Sequence, residues 1–143
     1  MPRQSKIDGV LRIIDANINR AKEGLRVCEE VIRFIVRDKA LTSRFKDIRH
    51  TLEEFTGAYR RDPRLLRERE SRSDVGRAIP SVTEMRRDGW KDIFSANLQR
   101  VKESIRVLEE FSKLDDRRRA RGLKELRYTV YELEKRASAL LNK

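Results

Sequence analysis

Apolar residues recur in alternating steps of four and three along four separate stretches of this chain. Ile14, Ile18, Ala21, Leu25, Cys28, Ile32 and Ile35 form the first set, and Leu41, Phe45, Ile48, Leu52, Phe55 and Tyr59 the second. Phe94, Leu98, Val101, Ile105 and Leu108 form the third, and Leu123, Leu126, Val130, Leu133, Ala137 and Leu140 the fourth. Such spacing lines one stripe of an α-helix, whereas a half-buried strand alternates in twos, and no segment here does so for a useful length. The pattern predicts four long helices arranged as two hairpins, with Thr42 or Ser43 capping the second helix. Between Gly57 and Trp90 the period is lost. Gly57, Gly76, Gly89, Pro63, Pro80 and many arginines crowd this stretch. Arg64 to Glu70 reads as a short helix and Ser71 to Pro80 as an ordered loop. A connection of this length inside a compact domain is more often functional than idle.

The two hairpins share a text. Ile14–Phe34 reads IDANINRAKEGLRVCEEVIRF, and Phe94–Leu114, eighty positions on, reads FSANLQRVKESIRVLEEFSKL. Asn17 recurs as Asn97, Arg20 as Arg100, Lys22 as Lys102, Glu23 as Glu103 and Arg26 as Arg106, and the Glu29-Glu30 pair recurs as Glu109-Glu110. FKDIRHTL from Phe45 is echoed by LKELRYTV from Leu123. Two units are too few for a solenoid, which needs three or more, and they fit a pseudo-symmetric pair closed on itself. The expected architecture is an all-α bundle in one domain, residues 1–143, with halves at about 7–60 and 91–140 and an Arg-rich connection over 61–90.

Projecting the first helix at about 100° per residue places Asn17 at the edge of the apolar stripe beside Cys28. Arg20 falls on the flank with Ile13, Val27 and Val31, and Gly24 leaves room between them. Asn97 and Arg100 repeat this among Ile93, Val107 and Phe111, with Ser104 in place of Gly24. Polar groups on an apolar arc are costly without partners, so matched pairs suggest a polar pocket. The plainer reading is that a buried Asn fixes helix register and a buried Arg meets a structural carboxylate. Glu23 and Glu103 lie at the border, three residues from Arg20 and Arg100, close enough to pair. Lys22, Arg26, Glu29 and Arg33 fall on the opposite arc, read as solvated face or dimer surface.

In the loop, Arg69, Arg72, Asp74, Gly76 and Arg77 combine guanidinium forks, a carboxylate and a flexible backbone point, a composition suited to phosphate or equally to a solvated basic loop. Neither GxxxxGK[ST] nor GxGxxG is present. His50 is the only histidine; its repeat partner is Tyr128, which makes it a half-buried packing residue rather than a base. Cys28, matched by Leu108, reads as core filling.

Charged residues make up 41% of the 143 positions and leave a net +11, which asks for an anionic partner. Nucleic acid and phosphorylated metabolites both qualify. The arginines are interleaved with glutamates and aromatics are few, which speaks against nucleic acid. One cysteine excludes an internal disulfide and a Cys-based metal site. No apolar run is long enough to span a membrane and no leader is visible, so a soluble, cytoplasmic protein is expected.

The strings DANINRAKEGLRVCEE, SRSDVG, ANLQRVKESIRVLEE and LRYTVYELEK resemble a small helical family associated with hydroxymethylpyrimidine-phosphate kinase activity. That domain is often fused ahead of thiamin-phosphate synthase in bacteria and is also found alone. The likeness runs from about Ile7 to Lys135 and implies a stand-alone member. The family's loop often reads RDT before DVG, where this chain has Glu70-Ser71-Arg72-Ser73. The implied reaction uses Mg²⁺ and ATP to convert a phosphorylated pyrimidine to its diphosphate. Under this reading Arg20, Arg100 and Arg72 hold phosphates, and Asp74 with Glu23 or Glu103 orients magnesium. Asn17 and Asn97 read the aminopyrimidine or a phosphate oxygen. Arg49 and Arg127 complete the clamp, with Arg69, Gly76 and Arg77 nearby. A homodimer is expected. The rival readings are a helical module that docks on a thiamin-phosphate synthase partner and, with less behind it, a basic nucleic-acid-binding bundle.

Overall fold

The computed structural model describes residues 3–79 and 85–143. It is all-α: α1 (Arg3–Glu30), α2 (Lys39–Arg61), α3 (Pro63–Arg67), α4 (Trp90–Ser112) and α5 (Arg117–Leu141), with no strand among the described residues. The four long helices fall on the four periodic stretches. Their boundaries follow local chemistry that the period does not report. Asp38, in an extended conformation, caps α2 by accepting the Leu41 N–H at 2.8 Å. The Thr42 hydroxyl, expected as the cap, instead donates to the Asp38 carbonyl at 2.7 Å. An aspartate reaches the third amide of a helix from its own N-cap position, so the helix starts before the apolar pattern does. Asp62 and Asp116 cap α3 and α5 in the same way.

The first helix does not run unbroken to Ile35. After Glu30 the chain widens into a π-turn over Val31–Val36, closed by Arg37 in the left-handed region (φ 61°), whose N–H donates to the Ile32 carbonyl. The wider turn rotates its last residues off the buried stripe. Ile32 stays fully buried, while Phe34 and Ile35 are 61% and 49% exposed. The short helix in the connection spans Pro63–Arg67 rather than Arg64–Glu70, because Asp62 caps it and Pro63 starts it. A 3₁₀ turn at Ser71–Ser73 follows. Pro80, the predicted end of the loop, lies outside the described residues.

The most extensive helix pair is α1 against α4. Cys28 reaches the Phe94 carbonyl, and Gly24 lies over Asn97 and Val101, so the two helices run antiparallel. With a repeat spacing of eighty, the pseudo-twofold axis passes between Ala21 and Val101, both fully buried. α2 and α5 also meet, with the Phe55 ring against Gly122. The core is the predicted stripe set, from Ile14 and Leu25 through Phe45, Leu98 and Leu123 to Val130. Cys28 is part of it, and burial pushes its thiol pKa up to about 12.

Gly24 marks a close approach of the two halves. A Cβ there would stand 2.7 Å from Val101 Cγ2 and 2.9 Å from the Asn97 carbonyl oxygen. The second contact is with backbone, which cannot turn aside as a side chain can. Gly24→Ala is therefore expected to destabilise the fold by about 1–3 kcal/mol, the usual range for overpacking, despite alanine's better helix propensity. A urea midpoint equal to that of the parent would show that α1 and α4 have slack at this crossing.

Candidate functional site

The two asparagines behave alike. Asn17 Nδ2 donates to the Ile13 carbonyl and Asn97 Nδ2 to the Ile93 carbonyl, each at 2.8 Å. Each amide folds back on its own helix, so one N–H is used there, and the second N–H and the carbonyl oxygen are left for a ligand. Asn17 is buried and Asn97 half-buried. Arg20 and Arg100 are exposed, and neither Arg20–Glu23 nor Arg100–Glu103 forms an ion pair. The flank they occupy is not covered by another helix, so their long stems carry the guanidinium groups outward. Glu103 accepts from Gln99 instead, at 3.1 Å.

The deepest duplicated polar set lies on the arc assigned to solvent. Glu29 is 1% exposed and Glu109 2% exposed. Glu29 meets Arg26 at 3.2 Å and Arg49 Nη2 at 3.3 Å; Glu109 meets Arg106 at 3.3 Å and Arg127 Nε at 3.1 Å. That arc faces the second helix of each hairpin, so a position that looks solvated on one helix is enclosed by two. Arg49 and Arg127, expected to clamp phosphates, are thus committed to buried carboxylates. Arg127 also donates to the Tyr131 hydroxyl at 3.2 Å and lies against the Tyr128 ring. Lys22 pairs with Glu53, and Lys102 with Glu134. His50, expected to be half-buried, is exposed at the corresponding surface.

Among the described residues, the connection is tied to the first repeat through side chains of α1. Arg69 grips Asp15 with both nitrogens of its fork at 2.7 Å, and Arg12 donates to the Glu70 carbonyl at 3.3 Å. Asn19 adds a hydrogen bond to the same Asp15 carboxylate at 3.2 Å. The result is a cleft of about 620 Å³ between α1 and the loop. Asn17, Arg20 and Glu23 stand on its helical wall, and Arg69, Glu70, Ser71 and Asp74 on its loop wall. Five of the thirteen predicted site residues therefore share one space. Asn97, Arg100 and Glu103 lie on α4 outside it, as do Arg49 and Arg127 on α2 and α5. Arg72, Gly76 and Arg77 are exposed on the loop beyond it. The Asp74 carboxylate accepts the Gly76 N–H at 2.8 Å, which shapes the turn.

Three guanidinium groups (Arg12, Arg20, Arg69) face four carboxylates (Asp15, Glu23, Glu70, Asp74) across the cleft. On a chain of net +11 this is a locally acidic place. Arg69 and Asp15 neutralise each other. Arg20 is left as the cation on the wall with no partner among the described residues. No group of three or more His, Cys, Asp or Glu side chains there is placed to hold a metal.

Residues 12–136, which span both repeats and the loop, match the ThiD2 family. The chain belongs to the ThiD2 family. It is 43% identical over 123 residues to a thiamine-phosphate synthase of Thermosynechococcus vestitus, covering 86% of this chain and 34% of that protein. It is 39% identical to the thiamine-phosphate synthase of Synechocystis sp. over 92% of this chain and 37% of the other. For the thiamine-phosphate synthase of Rhodopirellula baltica the identity is 38%, over 92% of this chain and 36% of the other. The ThiD2 chain thus spans about a third of the length of the curated relatives it matches. No solved structure matches it.

Asp15, Glu29 and Glu109 organise this ThiD2 chain, and sequence reasoning passed over all three as site residues. For Asp15 a signal existed: it is the place where DANINR and SANLQR differ in charge.

Proposed function

We propose that this protein acts in thiamin biosynthesis as an ATP-dependent kinase that converts hydroxymethylpyrimidine phosphate to its diphosphate. The cleft carries the reading: it brings Asn17, Arg20 and Glu23 of α1 against Arg69 and Asp74 of the loop. ThiD2 membership and the thiamine-phosphate synthase relatives support the pathway. The acceptor phosphate is largely dianionic at neutral pH and needs no general base. His50 is away from the cleft, whose carboxylates serve in this reading as anchors and metal ligands rather than as a base. Catalysis of phosphoryl transfer then rests on positioning and charge neutralisation.

In this reading Arg20 holds the acceptor phosphate, and the Asn17 carbonyl oxygen takes the exocyclic amine of the pyrimidine. Arg100, Asn97 and Glu103 supply the matching set on α4, and Arg72 and Arg77, exposed on the loop beyond the cleft, add positive charge near its mouth. The carboxylates fit magnesium bound together with phosphate: Mg²⁺ commonly takes one or two carboxylates and completes its shell with water and substrate oxygens. Glu23 and Asp74 are the residues that would hold it, and when bound it offsets phosphate charge. A cleft with more carboxylates than guanidinium groups disfavours a bare anion and favours one that arrives with its cation.

The deciding assay is incubation with Mg-ATP and hydroxymethylpyrimidine phosphate, read by mass. Diphosphate formation is expected. A second reading is a module that docks on a thiamine-phosphate synthase, favoured by relatives in which a similar segment is about a third of such an enzyme. Absence of product, with no thermal shift from either substrate, would leave that reading in place of the kinase.

A further inference from the structure

The repeat offers two copies of the Asn-Arg-Glu set, and among the described residues the loop is anchored over the first. We infer that Asp15 is the positioning residue that selects the first copy, and that the phosphorylated pyrimidine binds there, under the loop; this rests on the kinase reading above. Asp15 is 6% exposed, a burial that an aspartate tolerates only when paired. Its partner is Arg69, fifty-four residues away, held through both guanidinium nitrogens at 2.7 Å. A bidentate fork fixes the plane of both groups, and so the height of the loop over Asn17 and Arg20. Arg12 and the Glu70 carbonyl form a second tie one helical turn away.

The second copy lacks both anchors. Ser95 stands where Asp15 stands in the first, and Asp92 where Arg12 does. Ser95 is exposed, and a hydroxyl offers no bidentate acceptor for a guanidinium fork. Arg100 and Glu103 are exposed on α4, and Asn97 is half-buried. The two copies agree at the ligand-facing positions and differ at the anchors, so the symmetry is broken by the loop's foothold.

Asp15→Asn keeps shape and removes the charge, and Arg69→Gln cuts the same tie from its exposed end, leaving Asp15 the hydrogen bond from Asn19. Both variants should keep the parent's far-UV spectrum. Trypsin should cut after Arg72 or Arg77 at least roughly fivefold faster in each, since the loop loses its foothold. The KM for hydroxymethylpyrimidine phosphate should rise roughly tenfold or more with the KM for ATP unchanged, the signature of a displaced acceptor wall. The exchange Asp15→Arg with Arg69→Asp should restore protection, which a merely packed carboxylate would not do. Unchanged trypsin rates in both single variants would overturn the foothold. A rise in KM confined to ATP would overturn the assignment of the acceptor to this copy. Failure of the kinase reading would appear separately, as a parent protein that makes no diphosphate while the protease result stands.

Discussion

Glu109→Gln is expected to cost about 3–5 kcal/mol in urea unfolding, the usual loss when one member of a buried ion pair is removed. The Glu109 side chain is 3% exposed and the Arg127 side chain 11%, so Arg127 would keep its charge with little water to share it. Arginine cannot escape by losing its proton. A glutamine offers one acceptor oxygen but turns an NH₂ toward a cation. Glu29→Gln should cost less, because Arg49 is 21% exposed and its contact is looser, through Nη2 at 3.3 Å with Nε enclosed and unpartnered. The paired change Glu109→Leu with Arg127→Met should recover most of the loss, since it removes both charges together. A Glu109→Gln protein with the parent's midpoint would mean that water already reaches this pair.

Arg20→Ala is expected to lower kcat/KM for diphosphate formation by about 100-fold or more, in line with the loss of one preorganised charge-stabilising donor. The reason is its freedom. Arg69 is tied to Asp15 and Arg12 to the loop backbone, so Arg20 is the cleft guanidinium still available to a ligand phosphate. The melting temperature should barely move, because an exposed side chain without partners contributes little to stability. Arg20→Lys should recover part of the activity by restoring charge without the bidentate fork. Turnover equal to the parent in Arg20→Ala would remove this residue from the mechanism, whatever the fold of the variant.

The helices, the repeat and most of the core were legible in the sequence because each rests on spacing within one element. Ile14, Ile18 and Leu25 declare a stripe whatever lies opposite. What spacing could not convey is the identity of the covering element. Glu29 and Glu109 looked solvated on a single helical wheel, and only the approach of α2 and α5 encloses them. Asp15 depends on an arginine fifty-four residues ahead, in a segment with no period to read. The π-turn escaped for a similar reason: Ile35 keeps the register of the stripe on paper, and one widened turn moves it into solvent. In the candidate site, residue types were readable from the duplicated motif, while the choice between copies was held in the foothold rather than in the motif.

The antiparallel seating of α1 on α4 has the form of a two-subunit contact made by one chain. Each hairpin finds its largest partner in the other hairpin, across a connection of some thirty residues. Covalent continuity turns that encounter into a unimolecular step, with an effective concentration on the order of millimolar for a flexible tether. A backbone cut beyond Arg77 would leave every buried contact described here intact and yet make folding depend on dilution, since neither hairpin can cover its own apolar stripe alone. The loop therefore does two physically separate jobs, roofing a cleft on one half and keeping the other half within reach.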